Sequence, residues 1–179
     1  DETFAPSIYH GVTTLVMGNC GVGFAPVRLT DHHVLIDLME GVEEIPGSAL
    51  NEGITWNWES FTEYGKALDA MPHSLDFMTL VPHDSLRLYV MGERAARGEQ
   101  ATPEDLAQMQ TLLRQALQDG ACGLAIGSTE THRTAKGLMT PSFEVSSEEL
   151  NALGAAFRDV PYRVIQAVSD FASPRGQAS

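Results

Sequence analysis

The sequence is poor in cysteine and has no long apolar run. Its 179 residues contain two cysteines, Cys20 and Cys122, and no paired cysteine framework. A secreted scaffold built on disulfides is therefore not expected, and we predict a reduced, cytoplasmic setting. No apolar run approaches the roughly 20 residues that a membrane-spanning helix needs. We therefore expect no membrane partner.

Positive charge is also scarce. Lysine and arginine together number 11, against 24 aspartate and glutamate residues, which gives a formal net charge of -13. Such a protein is repelled by a phosphate backbone, so nucleic acid is not expected as a partner. The acidic residues are spread along the chain in pairs such as Glu148 and Glu149. This spacing is typical of solvated helix faces.

Local metal-binding and phosphate-binding motifs are missing. The sequence has no Cys-x-x-Cys, His-x-His or His-Glu-x-x-His pattern. The glycine-rich stretch from Gly18 to Gly23 departs from the dinucleotide-binding fingerprint, and no Lys-Ser/Thr pair follows it as in a P-loop. Phosphate binding is therefore disfavoured, and any metal ligands have to come from separate parts of the chain.

What the sequence does contain is an alternation of strand and helix patterns. Apolar runs at 12–17, 75–81, 122–126 and 162–168 predict four strands. Helices are predicted at 31–39, 59–70 and 102–120, and a turn-rich loop at 41–53. A fourth helix is capped by Ser146 or Ser147 and faces inward with Leu150, Leu153 and Phe157. The alternation implies parallel strands with right-handed crossovers, an α/β fold in a single domain over 1–179.

The most informative segment is HGVTTLVMGNCGVGFAP at 10–26. It indicates a buried strand, covered on both faces, followed by glycines that allow a sharp turn. The thiol of Cys20 is then expected at the carboxyl end of the strand, where parallel α/β proteins build their sites. A cysteine in that place can be a metal ligand, a nucleophile or simple packing.

Three other loops are expected at the same edge of the sheet. His83 follows the second strand, His132 and Arg133 lie in the loop after the third, and Asp170 follows the fourth. Thiolate, imidazole and carboxylate groups that converge on one edge suit a zinc-like ion. Cys20 and His83 are the candidate ligands for such an ion, and we predict His132 and Arg133 as substrate contacts. His83 could alternatively serve as the base for a nucleophilic Cys20.

The same residues resemble the N-acyl-D-amino-acid deacylases, or D-aminoacylases, of the amidohydrolase superfamily. The resemblance is carried by residues 10–26 and by three further stretches, LMEGVEEIP at 38–46, YVMGERA at 89–95 and ATPED at 101–105. It implies a partial (β/α)8 TIM barrel of about four parallel strands, as an internal piece of a metal-dependent barrel. It also implies hydrolysis of the amide bond of N-acyl-D-amino acids, a zinc cofactor, and Cys20 as a zinc ligand.

The sequence departs from the family pattern in its histidines. The family's His-x-His motif would lie before Asp1, and no histidine follows His132. The catalytic aspartate of the family is not assigned to Asp170, so the catalytic residues stay unknown. Because a catalytic zinc needs about three protein ligands, we expect the chain alone to be inactive.

Half a barrel leaves open sheet edges and apolar strand faces, so we predict a homo-oligomer. Two alternatives to the hydrolase function remain open. One is a non-catalytic, self-associating barrel fragment, and the other is a thiol-dependent enzyme that uses Cys20.

Overall fold

The computed structural model describes residues 4–170, in which strands and helices alternate. The strands are β1 (Thr14–Met17), β2 (Asp76–Pro82), β3 (Gly123–Ser128) and β4 (Val164–Ser169). The helices are α1 (Ala5–Tyr9), α2 (His32–Glu43), α3 (Gly47–Gly53), α4 (Phe61–Asp69), α5 (His83–Met91), α6 (Glu93–Ala96), α7 (Pro103–Gln118) and α8 (Ser147–Gly154). Three short 3₁₀ turns cover Asn19–Gly21, Leu29–Asp31 and Ala155–Phe157.

The four strands form one parallel sheet in the order β1-β2-β3-β4. The sheet curls into half of a (β/α)8 barrel, with the helices packed against it, which confirms the predicted fold class. The main core lies where β2 and β3 meet α5 and α7, and includes Leu86, Leu113 and Leu124. Because all four strands run the same way, their carboxyl ends lie at one edge of the sheet.

Helix α7 forms as its sequence signals predict. The hydroxyl of Thr102 accepts a hydrogen bond from the backbone N–H of Asp105, whose carboxylate accepts from the N–H of Thr102 in return. This capping box satisfies two backbone donors at the helix start. Gly120, just after the end of the helix, has a positive φ of 118°. The apolar residues that face the core are all buried, namely Leu106, Met109, Leu113, Ala116 and Leu117.

Helix α8 is confirmed at its start and corrected along its face. Ser146 is the N-cap, and its hydroxyl accepts from the backbone N–H of Glu149 at 3.1 Å. Leu153 is buried as expected, but Leu150 is 38% exposed, so its predicted inward orientation is wrong. Glu149 takes the inward position instead and is fully buried. A buried charge partner explains this exception to the apolar pattern, as described below.

Two stretches predicted as loops are helical. The 41–53 loop is wrong, because α2 continues to Glu43 and α3 follows at Gly47–Gly53. Helix α5 begins directly after Pro82 without any turn. Helix α5 has no polar face toward solvent, because most of its polar residues are buried together with its apolar ones. Its start also lacks a side-chain cap, because Pro82 stands at the N-cap position.

The outer strands are more exposed than the sequence indicated. Burial of β1 on both faces is wrong, because Val16 is 45% exposed. Val164 and Ile165 of β4 are exposed too. Each outer strand lacks a neighbour on one side among residues 4–170. Over the same residues, no helix has the length and apolar character that crossing a membrane requires.

Candidate active site at the carboxyl edge of the sheet

A tight left-handed turn places Cys20 at the carboxyl end of β1. Gly18, Cys20 and Gly21 have positive φ values of 83°, 64° and 82°. A Cβ at Gly18 would lie 2.7 Å from the carbonyl oxygen of Leu80 on β2, so only glycine fits there. A non-glycine residue such as Cys20 is uncommon and strained in the left-handed region of backbone angles, where φ is positive. The chain therefore holds Cys20 in a conformation that its own propensity does not favour.

The turn that carries Cys20 crosses the sheet and rests on β3 and β4. The backbone N–H of Cys20 donates to the side-chain oxygen of Gln166 on β4 at 3.2 Å. Gly127 on β3 approaches the carbonyl oxygen of Cys20 so closely that a Cβ there would clash with it. Cys20 is thus fixed by contacts with two strands other than its own.

The thiol of Cys20 is free and half-buried. Burial raises the pKa of this thiol, and the negative charge of Glu43 raises it further. The thiol is therefore protonated at neutral pH unless a cation lies next to it. This state is the opposite of the low-pKa thiolate that a cysteine nucleophile needs.

His132 comes close to the same place from the loop after β3. A Cβ at Gly127 would lie 3.2 Å from its Nδ1, and this nitrogen is buried with no hydrogen-bond partner among residues 4–170. Burial lowers the pKa of His132, and the charges of Glu43 and Asp170 oppose that effect only in part. The structure thus brings the His132 imidazole and the backbone carbonyl of Cys20 to the same side of Gly127, and the charge of Glu43 acts on both side chains.

Arg133 and Asp170 mainly hold the loop itself. The Arg133 guanidinium donates to the carbonyl oxygen of Gly137 at 3.2 Å. The Asp170 carboxylate accepts from the Thr129 hydroxyl at 2.6 Å and from the backbone N–H of Glu130 at 2.9 Å. Asp170 therefore ties the end of β4 to the start of the loop that carries His132.

His83 lies in a buried ionic cluster with Arg87 and Glu149. Its Nε2 is 2.7 Å from one Glu149 oxygen, and Arg87 donates to the other. Burial lowers the pKa of His83, so the imidazole is neutral and donates from Nε2. Burial raises the pKa of Glu149, but the contacts with His83 and Arg87 outweigh it and hold that pKa below its usual value. The remaining His83 nitrogen, Nδ1, has no hydrogen-bond partner in the part of the chain that the structure describes.

Asp84 is buried next to this cluster. One of its oxygens accepts from the backbone N–H of Ser142 at 2.6 Å, and the other has no partner among the residues described. Burial raises the pKa of Asp84 to about 7, against the opposing hydrogen bond from Ser142.

The side chains at this edge match a zinc site in chemistry but do not make up a full ligand set. Cys20 and the unpartnered nitrogen of His132 are sulfur and imidazole donors, both of which zinc accepts. Over residues 4–170 there is no group of three or more His, Cys, Asp or Glu side chains that could hold a metal ion. The predicted ligands Cys20 and His83 are therefore not joined in such a group, and the metal role of each stays a prediction.

Sequence reasoning missed Gln166, Glu43 and Glu149. Gln166 had a weak signal, because it is a polar residue in the middle of the apolar stretch 164–168. Glu43 and Glu149 belong to acidic pairs that look solvated in the sequence, and nothing local marks one member of each pair as different.

Comparison with known proteins supports the resemblance seen in the sequence. The family described as "Amidohydrolase family" matches residues 1–178. The D-aminoacylase of Alcaligenes xylosoxydans xylosoxydans is 34% identical over 123 residues, which cover 69% of this chain and 22% of that protein. An N-acyl-D-aspartate deacylase from the same organism is 32% identical with the same coverage of both chains. The chain thus spans less than a quarter of the length of these two relatives.

Solved structures give the same picture. An N-acyl-D-glutamate deacylase from Bordetella bronchiseptica, complexed with zinc and a phosphonate mimic of the tetrahedral intermediate, superposes with a TM-score of 0.61 at 25% identity. That match covers 90% of this chain and 29% of the other. A crystal structure of D-aminoacylase superposes with a TM-score of 0.60 at 29% identity, covering 85% and 27%. The resemblance to D-aminoacylases is confirmed, and the chain belongs to the amidohydrolase family.

Proposed function

We propose that this chain supplies part of the catalytic barrel of a zinc-dependent hydrolase that cleaves the amide bond of N-acyl-D-amino acids. The observation that carries the proposal is the turn of Cys20, which three strands together hold at the carboxyl edge of a parallel half-barrel. A half-buried thiol in a strained turn at this edge suits a ligand-binding role better than packing. The small-molecule substrates named for the relatives support the same reaction.

Cys20 would contribute one ligand to the zinc ion. When bound, such an ion polarises the amide carbonyl and lowers the pKa of the attacking water. A cation would also favour the thiolate of Cys20, whose pKa burial otherwise raises. His83 remains a second predicted ligand, through the Nδ1 that its contact with Glu149 leaves available.

His132 and Arg133 remain the predicted substrate contacts. The neutral imidazole of His132 lies beside Cys20, where it could donate to or accept from a polar group of the substrate. Arg133 is exposed and held by its own loop, so it would meet only a part of the substrate that extends outward.

The chain by itself is proposed to be inactive, because its described residues do not complete a metal site. A chimera tests the function directly. The matched segment of the Alcaligenes D-aminoacylase is replaced by this chain, and hydrolysis of N-acetyl-D- and N-acetyl-L-amino acids is compared. We expect hydrolysis of the D-substrate, its loss in Cys20→Ser, and its retention in the control Cys122→Ser. A folded chimera in which Cys20→Ser is fully active would contradict the proposal.

The exposed apolar residues of the sheet favour association with a second copy of the chain. Val16, Met78, Val164 and Ile165 are each at least 45% exposed, and they lie on β1, β2 and β4. Since eight parallel strands close a barrel, two four-stranded halves have the strand number to cover each other's edges. We propose a homodimer of the 179-residue chain. Light scattering that shows a folded monomer at micromolar concentration would overturn this proposal.

A further inference from the structure

The segment 129–146, called the rim segment here, connects β3 to α8 and carries His132. Side chains from outside the segment bind the backbone of its second half. The Asp84 carboxylate accepts from the N–H of Ser142 at 2.6 Å. The Ser128 hydroxyl donates to the carbonyl of Phe143 at 2.8 Å, and the Gln100 amide donates to that of Glu144 at 2.7 Å. Three consecutive residues of the rim segment are therefore held from three different places.

Asp84 is the buried member of these contacts, and its position is costly. The side chain is 0% exposed, and its second oxygen has no hydrogen-bond partner among residues 4–170. A buried carboxyl that is only half satisfied destabilises a protein compared with an apolar residue of similar size. The burial of Asp84 is therefore offset only by its bond with the N–H of Ser142 and by the positive charge of Arg87. What the carboxyl does achieve is a bond to the N–H of Ser142.

The neighbours of Asp84 on α5 fix the end of the rim segment as well. His83 and Arg87 both bind Glu149, in the first turn of α8, just after the segment ends. Arg87 also donates to the carbonyl oxygen of Glu99 at 2.7 Å, which ties the cluster to the residues before α7. The start of α5, which follows β2 directly, thus binds the chain at both 142 and 149.

The other end of the rim segment is fixed by Asp170 through Thr129 and Glu130. His132 lies between this point and the contact at Ser142. Its Nδ1 reaches Gly127, the same glycine on which the turn of Cys20 rests. Nearer to it, the N–H of His132 donates to the carbonyl of Thr129 at 3.3 Å, and the N–H of Ala135 donates to that of Asp37 on α2 at 2.9 Å. The contact of Asp84 with Ser142 holds the far side of the same segment.

We infer that Asp84 is a positioning residue, which holds the rim segment on α5 and thereby keeps His132 beside Cys20. The inference rests on the proposed function for its meaning, because His132 matters only if this edge of the sheet binds substrate. Its structural content can be tested without any activity.

Hydrogen exchange in three variants of the chain tests the bond itself. Asp84→Ala removes the acceptor for the N–H of Ser142, Asp84→Asn keeps an oxygen acceptor, and Ser142→Ala keeps the backbone donor. We expect amide exchange in peptides from 129–146 to rise about tenfold or more in Asp84→Ala. Peptides from α7 should be unchanged, and the other two variants should resemble the wild type. Unchanged exchange in Asp84→Ala, or an equal rise in α7, would overturn the inference.

The link to His132 needs its own readout. We expect the imidazole proton resonances of His132 to shift in Asp84→Ala and to return in Asp84→Asn, while those of His73, in a distant loop, stay in place. Resonances of His132 that stay unchanged while the segment exchanges faster would refute the positioning role. If Asp84→Ala does not fold, the same question is answered in the wild type. The amide of Ser142 should then exchange far more slowly than the amide of the exposed Lys136, and equal exchange rates would refute the hydrogen bond.

Activity separates the two proposals. In the chimera, Asp84→Ala should raise KM more than it lowers kcat, because His132 and Arg133 of the rim segment are the proposed substrate contacts. A chimera without any activity would contradict the proposed function but would not affect the exchange and resonance results. An active chimera, together with unchanged amide exchange of the rim segment in Asp84→Ala, would contradict the inference alone.

Discussion

The backbone N–H of Cys20 donates a hydrogen bond to the side-chain oxygen of Gln166, 3.2 Å away. The two residues belong to the two outer strands of the sheet, since Cys20 follows β1 and Gln166 lies on β4. The turn therefore spans the curled sheet rather than ending above its own strand. Gly127 makes this possible, because the carbonyl of Cys20 rests where a side chain would otherwise stand.

Replacing Gln166 should loosen the turn of Cys20. Gln166→Leu removes the acceptor and leaves a similar volume, so the thiol should become more accessible. Since a hydrogen bond contributes about 1 kcal/mol, we expect alkylation of Cys20 to be about fivefold faster. The measurement is the rate of iodoacetamide labelling in a Cys122→Ser background. Gln108→Leu, at an exposed position of α7, is the control, and equal rates in both variants would show that the bond does not hold the turn.

A methyl group at Gly127 should disturb the turn more strongly. Gly127→Ala places a Cβ against the carbonyl of Cys20 and close to Nδ1 of His132, so one of them has to move. We expect the free energy of unfolding to fall by about 1–3 kcal/mol, the range for overpacking. Gly154→Ala is the matched control, because a Cβ at Gly154 meets no atom within 4 Å. Urea denaturation that shows equal stability for the two variants would contradict the close approach.

Neutralising Glu149 should leave the buried positive charge of Arg87 without its countercharge. Glu149→Gln keeps the shape of the side chain but removes the countercharge of Arg87, which is 1% exposed. Breaking a buried pair in this way costs about 3–5 kcal/mol. Glu148→Gln, at the exposed neighbour, should stay within about 0.5 kcal/mol of the wild type. Similar unfolding midpoints for the two variants would show that the buried ionic cluster does not stabilise the fold.

The Arg94–Asp105 pair should give a stability difference that depends on pH. The hydrogen bond from Arg94 lowers the pKa of Asp105 below its ordinary 3.8, and the bonds with Thr102 add to this. The folded state therefore favours the charged carboxylate. Its contribution to stability is present above about pH 4 and is lost as the pH falls through the lowered pKa.

We therefore expect Asp105→Asn to be less stable than the wild type by about 1 kcal/mol at pH 7. The difference should shrink as the pH is lowered below about 4. Denaturation at a series of pH values checks this, with Glu104→Gln in the same helical turn as control. A gap that stays constant down to pH 2 would be incompatible with the ion pair.

Local signals in the sequence were sufficient for the alternation of parallel strands and helices, whereas the half-barrel was implied by the family resemblance. The capping box at Thr102, the N-cap at Ser146 and the four apolar runs each depend on residues within a few positions, and all four strands and both helix starts were found. Helix α5 was missed because it starts directly at the end of β2 and has no side-chain cap that marks its first residue.

The site could be predicted only in part. The glycines around Cys20 mark its turn, so its place at the carboxyl edge followed from the sequence. The partner of Cys20 is 146 residues away, and the partner of His83 is 66 residues away. Such pairs depend on how the sheet curls and on which helix packs beside which strand. The sequence placed His83 at the same edge as Cys20 because each follows a strand, but the contact of His83 with Glu149 could not be predicted from it.

Binding of cobalt(II) by the chimera with the Alcaligenes D-aminoacylase tests the role of Cys20 most directly, because the chimera restores the rest of the barrel and a thiolate bound to this ion gives a charge-transfer absorption in the near ultraviolet. With cobalt(II) in excess, our account predicts this absorption in the chimera and in its Cys122→Ser variant, and its loss in Cys20→Ser. An absorption that is the same in Cys20→Ser as in the unsubstituted chimera, or that is absent from the folded chimera, would contradict the assignment of Cys20 as a metal ligand.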